Sequence, residues 1–497
     1  MKALHAIEAL RLRVVKDKLN AADTNICMII SLFVSCAMLL PQLPAVRYPD
    51  AVAYLWPGAF NPHFMNPRSL TQRVLFNLSG SNDTVIAFFH LGAYAAWATL
   101  LYLSLKTENT KLNTIRAISI TLLFSSYTFT LGSLSITSEP LHIALMGIWF
   151  VTSFRSRSPQ LFWSVGLAFV LSKNTAPYVA WGLCAVLIGA HLIRKSTRVD
   201  SEEVAPRTGV PPWRHVLCMG IAATAVALYT QKFDTSLQLN LANNVFARIL
   251  PDHDDRLTFI DRYGMPDGDY IQRVSGKLIH TPMDGANPNY RINPRSWNYE
   301  LNSDPYGFKI WLTSVGQSAL YRHWFVDKPL ETLEEICEAY GSMSQGSTIT
   351  FFSEEISGYM PHRVGYVDAW SKQHPHQRAG FFGFDPISTW WHALTSIGLG
   401  RIAGIVWIAL ACLGLYLITQ HIAWLSCFAQ LCAGVCLFAL NYLGDPMELH
   451  RHVAPALILI AVAAHELVWN LLINGGELAL ICDKRLRWFM IKLTQRR

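Results

Sequence analysis

The chain is predicted to be an all-α polytopic membrane protein of about ten transmembrane helices with one large extramembrane insert. Three observations carry that expectation. The apolar residues, 52% of 497, come in blocks long enough to cross a bilayer, and charged residues make up only 15%, against roughly 25% in soluble domains. A polar block rich in Pro and Asn, 231 to roughly 390, interrupts the apolar ones. The core of such a chain is the bilayer itself.

Taken in order, the spans are expected at 24 to 45, 84 to 105, 117 to 135, 141 to 154, 160 to 172, 176 to 193, 215 to 231, 402 to 420, 422 to 444 and 454 to 474. The first follows a polar start and lacks a small-residue cleavage pattern, so it reads as an uncleaved span. The stretch 160 to 193 is either one kinked helix or a hairpin, because Ser172-Lys173-Asn174-Thr175-Ala176-Pro177 places a charge and a Pro in its middle.

Loop charge decides between the two. With the N-terminus inside and ten spans, the short inner segments hold 21 Lys and Arg and the short outer ones five: Arg47, Arg68, Arg73, Lys173 and Arg451. That asymmetry favours the hairpin and places both termini in the cytoplasm. The chain divides into an N-terminal membrane module (1–231, with an interfacial outer loop 46–83), an extracytoplasmic insert (232–400), and a C-terminal membrane module with a basic tail (401–497).

The net charge of +7 points to no nucleic acid, since its basic residues mostly flank spans. Cys337 is the single cysteine of the insert, which therefore holds no internal disulfide. Within the insert, six prolines from Pro251 to Pro305 break up the first half. From Lys309 to about Tyr340 the spacing of Trp311, Leu312, Val315, Leu320, Trp324, Phe325, Leu330 and Leu333 predicts one or two amphipathic helices on the membrane rim. Pro386 to Leu399, with Trp390 and Trp391, reads as another interfacial helix.

On this topology, separate outer loops deliver ionisable groups to one side of the membrane. Asp50 follows the first span, Glu139 precedes Pro140, Lys173 sits at the hairpin tip, and Gly444-Asp445-Pro446-Met447-Glu448-Leu449-His450-Arg451-His452 leads into the last span. Charge near hydrocarbon is expensive and is retained where it functions. A carboxylate there can act as a general base, and Lys or Arg can neutralise a phosphate. Plainer readings stand beside each: Glu139-Pro140 as an ordinary helix start, Lys173 snorkelling to the interface, Arg68 and Arg73 facing lipid headgroups, and Trp390-Trp391 as interfacial belt. His450 and His452 lack a third zinc ligand nearby, and Asp252-His253-Asp254-Asp255 reads as a solvated turn before it reads as a divalent-cation site.

These motifs resemble the GT-C superfamily of integral-membrane glycosyltransferases. The likeness rests on Tyr48-Pro49-Asp50-Ala51, Ser138-Glu139-Pro140, Lys173-Asn174-Thr175-Ala176-Pro177, and Glu448 with Arg451 before Pro455. Asn243 to Asp252, followed by Tyr263-Gly264-Met265-Pro266, is similar to bacterial hexose transferases of glycan biosynthesis.

The resemblance implies a polyprenyl-phosphate-linked sugar donor, a glycan or lipid acceptor hydroxyl on the periplasmic face of a bacterial inner membrane, and inversion at the anomeric carbon. It implies Asp50 as base, with Glu139 or Glu448 supplying any second acid. It implies Arg451, Lys173, Arg68 and His450 on the donor phosphate, and Tyr54, His63, Glu448 and His452 near sugar or acceptor. No cofactor is required, a divalent cation stays an open option, and the protein is expected to act as a monomer among membrane lipids. A lipid-linked glycan flippase, or an O-antigen polymerase or ligase with a diphosphate-linked donor, would draw on the same outer charges.

Overall fold

The computed structural model describes residues 46–47, 70–104, 107, 109–126, 129, 135–136, 138–155, 158–197, 211–233, 235–268, 274–276, 307–345, 386–419, 421–444 and 449–495. These are helical apart from loops and one short parallel pairing of β1 (Val46–Arg47) with β2 (Ser135–Ile136), in the register Val46 to Ser135 and Arg47 to Ile136. The expected first span, 24 to 45, lies outside the described residues.

The N-terminal module runs through α1 (Leu70–Leu78), α2 (Asp83–Ser104), α3 (Thr110–Phe124), α4 (Glu139–Arg155), α5 (Pro159–Val170), α6 (Ala176–Thr197) and α7 (Trp213–Phe233). Local chemistry sets several of these ends. Asn109 caps α3 by accepting from the Leu112 amide, and Ser158 caps α5 by accepting from Leu161 with Pro159 in the first turn. The C-terminal module is α13 (Ile402–Thr419), α14 (Ile422–Gly444) and α15 (Leu449–Gln495), with Pro455 in the second turn of α15. There the proline removes one backbone donor without ending the helix.

Among the described residues five helical stretches are long and apolar enough to cross a membrane: Asp83–Ser104, Ala176–Ile193, Ile402–Thr419, Ile422–Gly444 and His452–Gly475. A helical membrane protein is therefore what the chain forms. Of the other expected spans, one takes the favoured form and one differs in extent. The stretch 160 to 193 is a hairpin of two helices, α5 and α6, of which α5 has only 12 residues. The third span was expected to reach 135, but α3 stops at Phe124, where the Ser125 amide turns back onto Leu123 and Thr121, and Ser135 is already in β2.

Close packing joins the two modules. α14 lies against α13 and α15, and reaches α4 and α6 across the molecule. Gly434 makes the α14 to α15 approach possible, since a Cβ there would stand 2.4 Å from Ile460 Cγ1. Gly147 in α4 does the same for Trp97, whose ring atoms would lie 2.0 Å from an added Cβ. Small residues at helix contacts serve this end where lipid supplies no hydrophobic drive between helices.

Polar groups also bridge helices inside the bundle. Ser119 of α3 meets His465 Nε2 at 3.1 Å and accepts from Trp469 Nε1 at 3.2 Å, while Gln430 of α14 donates to Glu466 at 2.6 Å. Arg116, read from sequence as an inner flanking charge, is fully buried and donates to the Tyr102 carbonyl.

The insert is helical where described. α8 (Thr235–Asn244) widens into a π-type turn, Val245–Ile249, and is followed by α9 (His253–Tyr263). Gly264, at φ +65°, closes α9 in the left-handed conformation that glycine adopts without steric cost. A segmented helix, α10, covers 308–327 with π-type turns at Leu312–Gly316 and His323–Asp327, and α11 is Pro329–Gln345. This is the pair expected over 309 to 340. Trp311, Leu312, Leu320 and Trp324 are buried, whereas Val315, Phe325, Leu330 and Leu333 stay exposed. α12 (Pro386–Leu394), with its π-type turn Thr395–Leu399, lies where an interfacial helix was expected. Trp391 is not a belt residue: it is fully buried and donates to the Ser344 carbonyl, while half-buried Trp390 donates to the Ala461 carbonyl of α15.

Candidate functional site

Three expected site residues come together at the ends of α4, α6 and α15. Glu139 opens α4, with Pro140 behind it, so its carboxylate stands at a helix N-terminus where negative charge is favoured. Lys173 lies in the five-residue turn between α5 and α6, and His452 is in the first turn of α15. Lys173 Nζ is 3.1 Å from Glu139 Oε1 and 3.4 Å from His452 Nδ1, and His452 Nδ1 is 3.5 Å from that same oxygen. Glu139 is thus both a helix start and a partner in an ionic cluster, and Lys173 does more than snorkel.

A second contact, one turn deeper, ties the same elements. His142 Nδ1 lies 2.8 Å from Ser172 Oγ, and Ser172 donates its hydroxyl proton to the Phe169 carbonyl at 2.6 Å. With that single proton committed, Ser172 can only accept, so His142 carries its proton on Nδ1. The imidazole stacks on Phe169 with centroids 5.2 Å apart, and both His142 and Ser172 are buried. Sequence reasoning missed this pair. The available signal was a histidine three residues after Glu139, hence on the same face of a helix beginning there, in an otherwise apolar span.

The β1 to β2 pairing brings a further segment, Val46–Arg47, toward the start of α4. β2 ends three residues before Glu139, and β1, its parallel neighbour, ends three residues before Asp50. Asp50, Tyr54, His63, Arg68 and Glu448 lie outside the described residues, as do the side chains of His450 and Arg451; in sequence Arg451 directly precedes His452. Arg73, the other first-loop cation, is buried in α1.

The insert packs against the C-terminal end of α14. Asn244 of α8 donates to the Gly444 carbonyl at 3.2 Å and Arg248 to the Tyr442 carbonyl at 2.6 Å, which satisfies the C-terminal carbonyls of α14 just before the loop to α15 begins. Further out is a separate charged cluster. Asp255 pairs with Lys328 at 2.6 Å and with His323 at 3.3 Å, and Arg262 pairs with Asp327 at 2.9 Å. Burial raises the Asp255 carboxyl, but hydrogen bonds from His323 and Lys328 outweigh it and hold the group below the ordinary carboxylate value. The same pairing holds Lys328 above the usual lysine range. Tyr263 is pushed up to about 12 by burial and by its hydrogen bond to Asp327.

The acidic run at 252 to 255 is a helix cap. Asp252 accepts from the amides of Asp254 and Asp255, and no group of three or more His, Cys, Asp or Glu suited to a metal occurs among the described residues. No family model, curated protein or solved structure matches the chain.

Proposed function

We propose that the chain is a membrane glycosyltransferase that moves a sugar from a polyprenyl-phosphate donor to a hydroxyl acceptor on the outer face, with inversion. The observation that carries the reading is the convergence of Glu139, Lys173 and His452 from three separate segments at one end of the bundle. It is supported by the strand pairing. Chain length alone keeps Asp50 within about 11 Å of Arg47, and Arg47 is paired with Ile136, three residues from Glu139. Arg451 is covalently next to His452.

In this mechanism the Asp50 carboxylate takes the proton of the acceptor hydroxyl. The oxygen attacks the anomeric carbon, and the bond from that carbon to the phosphate oxygen breaks with its electron pair leaving on the lipid phosphate. Lys173 and Arg451 offset the charge gained by the leaving phosphate in a site partly shielded from water. A lipid phosphate needs neutralisation more than protonation, so cations suit its departure and the carboxylate serves the acceptor.

The test uses purified full-length protein in nanodiscs with polyprenyl-phosphate hexose and candidate glycan or lipid acceptors. Sugar should leave the donor, and Asp50→Asn should lower turnover by about 10²-fold or more. Near-normal turnover by that variant removes Asp50 as the base. Passage of intact donor across a vesicle bilayer, with no loss of sugar, makes the protein a flippase instead.

A further inference from the structure

The lysine of this site is engaged by the protein's own carboxylate, and its surroundings indicate what that carboxylate does. Glu139 is the most deeply placed of the three groups, with 3% of its side chain exposed, against 13% for Lys173 and 14% for His452. Access is therefore from the side of the nitrogens, with the carboxylate behind them.

Two roles for Glu139 predict opposite outcomes. If it holds Lys173 in place, its removal weakens whatever Lys173 binds. If Lys173 is held by other means, Glu139 competes with any incoming anion for the same ammonium. The contact one turn deeper decides between them. His142 and Ser172 join α4 to the residue immediately preceding Lys173, by a buried hydrogen bond between uncharged groups that does not involve Glu139. Ser172 is fixed again by the Phe169 carbonyl. The lysine backbone is thus anchored without its ion pair.

We infer that Lys173 forms an anion site for a phosphate group, and that Glu139 is a resident counter-ion which occupies the ammonium when the site is empty and lowers its affinity for that phosphate. The inference rests on the proposed donor chemistry for the class of its ligand, but it concerns binding and needs no turnover. An oxygen of a phosphate monoester approaching from the exposed side takes over hydrogen bonds from Lys173 that Glu139 holds at 3.1 Å. Ammonium has three donors and no preferred plane, so it can change partners by rotation of its terminal bonds. Glu139 spares the empty protein an unpaired cation at the edge of hydrocarbon.

The experiment measures binding of polyprenyl monophosphate to the full-length protein in detergent micelles, beside polyprenol and inorganic phosphate. Glu139→Gln should bind polyprenyl monophosphate about tenfold more tightly than the unaltered protein, the effect of removing one competing charge of about 1.4 kcal/mol. Lys173→Ala should weaken it by a similar factor, and the double variant should show no gain from Glu139→Gln. Polyprenol should bind all variants alike. Equal or weaker binding by Glu139→Gln overturns the inference and makes the carboxylate a positioning group. A gain shared by polyprenol also overturns it.

If inorganic phosphate shows the same gain and the lipid tail adds nothing, the anion site stands and its ligand is a soluble phosphate. Should Glu139→Gln show no cooperative thermal transition, Glu139→Asp replaces it, with a smaller gain expected from the withdrawn charge and no gain overturning the inference. Failure of sugar transfer together with the expected binding changes retires the transferase reading and leaves the anion site.

Discussion

The Arg248 guanidinium lies 4.0 Å from the centroid of the Tyr442 ring and donates to the carbonyl of that same residue at 2.6 Å. One side chain of the insert thus grips both the ring and the backbone at the end of α14, immediately before the loop that leads to His452. Arg248→Ala should lose about 1–2 kcal/mol from the cation–π contact and the hydrogen bond. Arg248→Lys should recover only part of it, because lysine lacks the planar fork. Thermal unfolding in detergent reads the difference, and full stability in the alanine variant would show that the insert does not support this helix end.

Glycines at helix contacts should separate sharply from those facing open space. Gly147→Ala drives a methyl into Trp97, which is itself edge-on to Phe124 at 5.0 Å, and Gly434→Ala drives one into Ile460. Each should cost about 1–3 kcal/mol as an overpacked core site. Gly189→Ala, with nothing within 4 Å of the added carbon, should be neutral or mildly stabilising. Monodisperse yield and unfolding temperature of the three variants check the ordering.

The charged cluster of the insert makes its stability depend on pH at both extremes. The Asp255 carboxyl is lowered in the folded protein, so its contribution is present above the unfolded value near ~3.9 and is lost as pH falls through the folded value. Lys328 is raised, so its contribution is complete below about 10.5 and is lost as pH rises through its folded value. Protease resistance of the insert should therefore be flat across neutral pH and fall in acid. Asp255→Asn should lower stability by about 1 kcal/mol and shrink the acid limb, leaving the part carried by Asp327, which its hydrogen bond from Tyr263 also holds low. An unchanged acid limb would assign it to other carboxyls.

The proposed topology places the insert outside and the 194–214 loop inside. Leu330 is 79% exposed on α11, so Leu330→Cys should react with a membrane-impermeant maleimide on intact cells. Ser201→Cys should react only after permeabilisation. The reverse pattern would turn the site toward the cytoplasm and remove a periplasmic reaction.

The helical membrane character was legible because bilayer length is a strong constraint on apolar runs. The hairpin at 160 to 193 was readable from Lys173 and Pro177 together with the balance of loop charge. The helices over 309 to 340 were readable from spacing, although period alone could not tell that Trp324 would be buried and Phe325 exposed. Glu139 and Lys173, which meet in the structure, stood out in the sequence because a charge at a span end has few inexpensive explanations.

His142, Ser172 and the β1 to β2 pairing were not found. A neutral histidine bonded to a serine looks in sequence like ordinary core, and a two-residue strand has no period to detect. Trp391 was misplaced because paired tryptophans suit an interface as well as a tight helix junction. The carbonyl that decided the matter, of Ser344, is far away in the chain.

The last helix extends from Leu449 to Gln495, 47 residues, or about 70 Å at 1.5 Å per residue. Hydrocarbon takes up only about 30 Å of such a length. Part of the helix therefore extends past any hydrocarbon layer, and the stretch after Gly475, with Lys484, Arg485, Arg487 and Lys492, is the part whose charges would be costly within it.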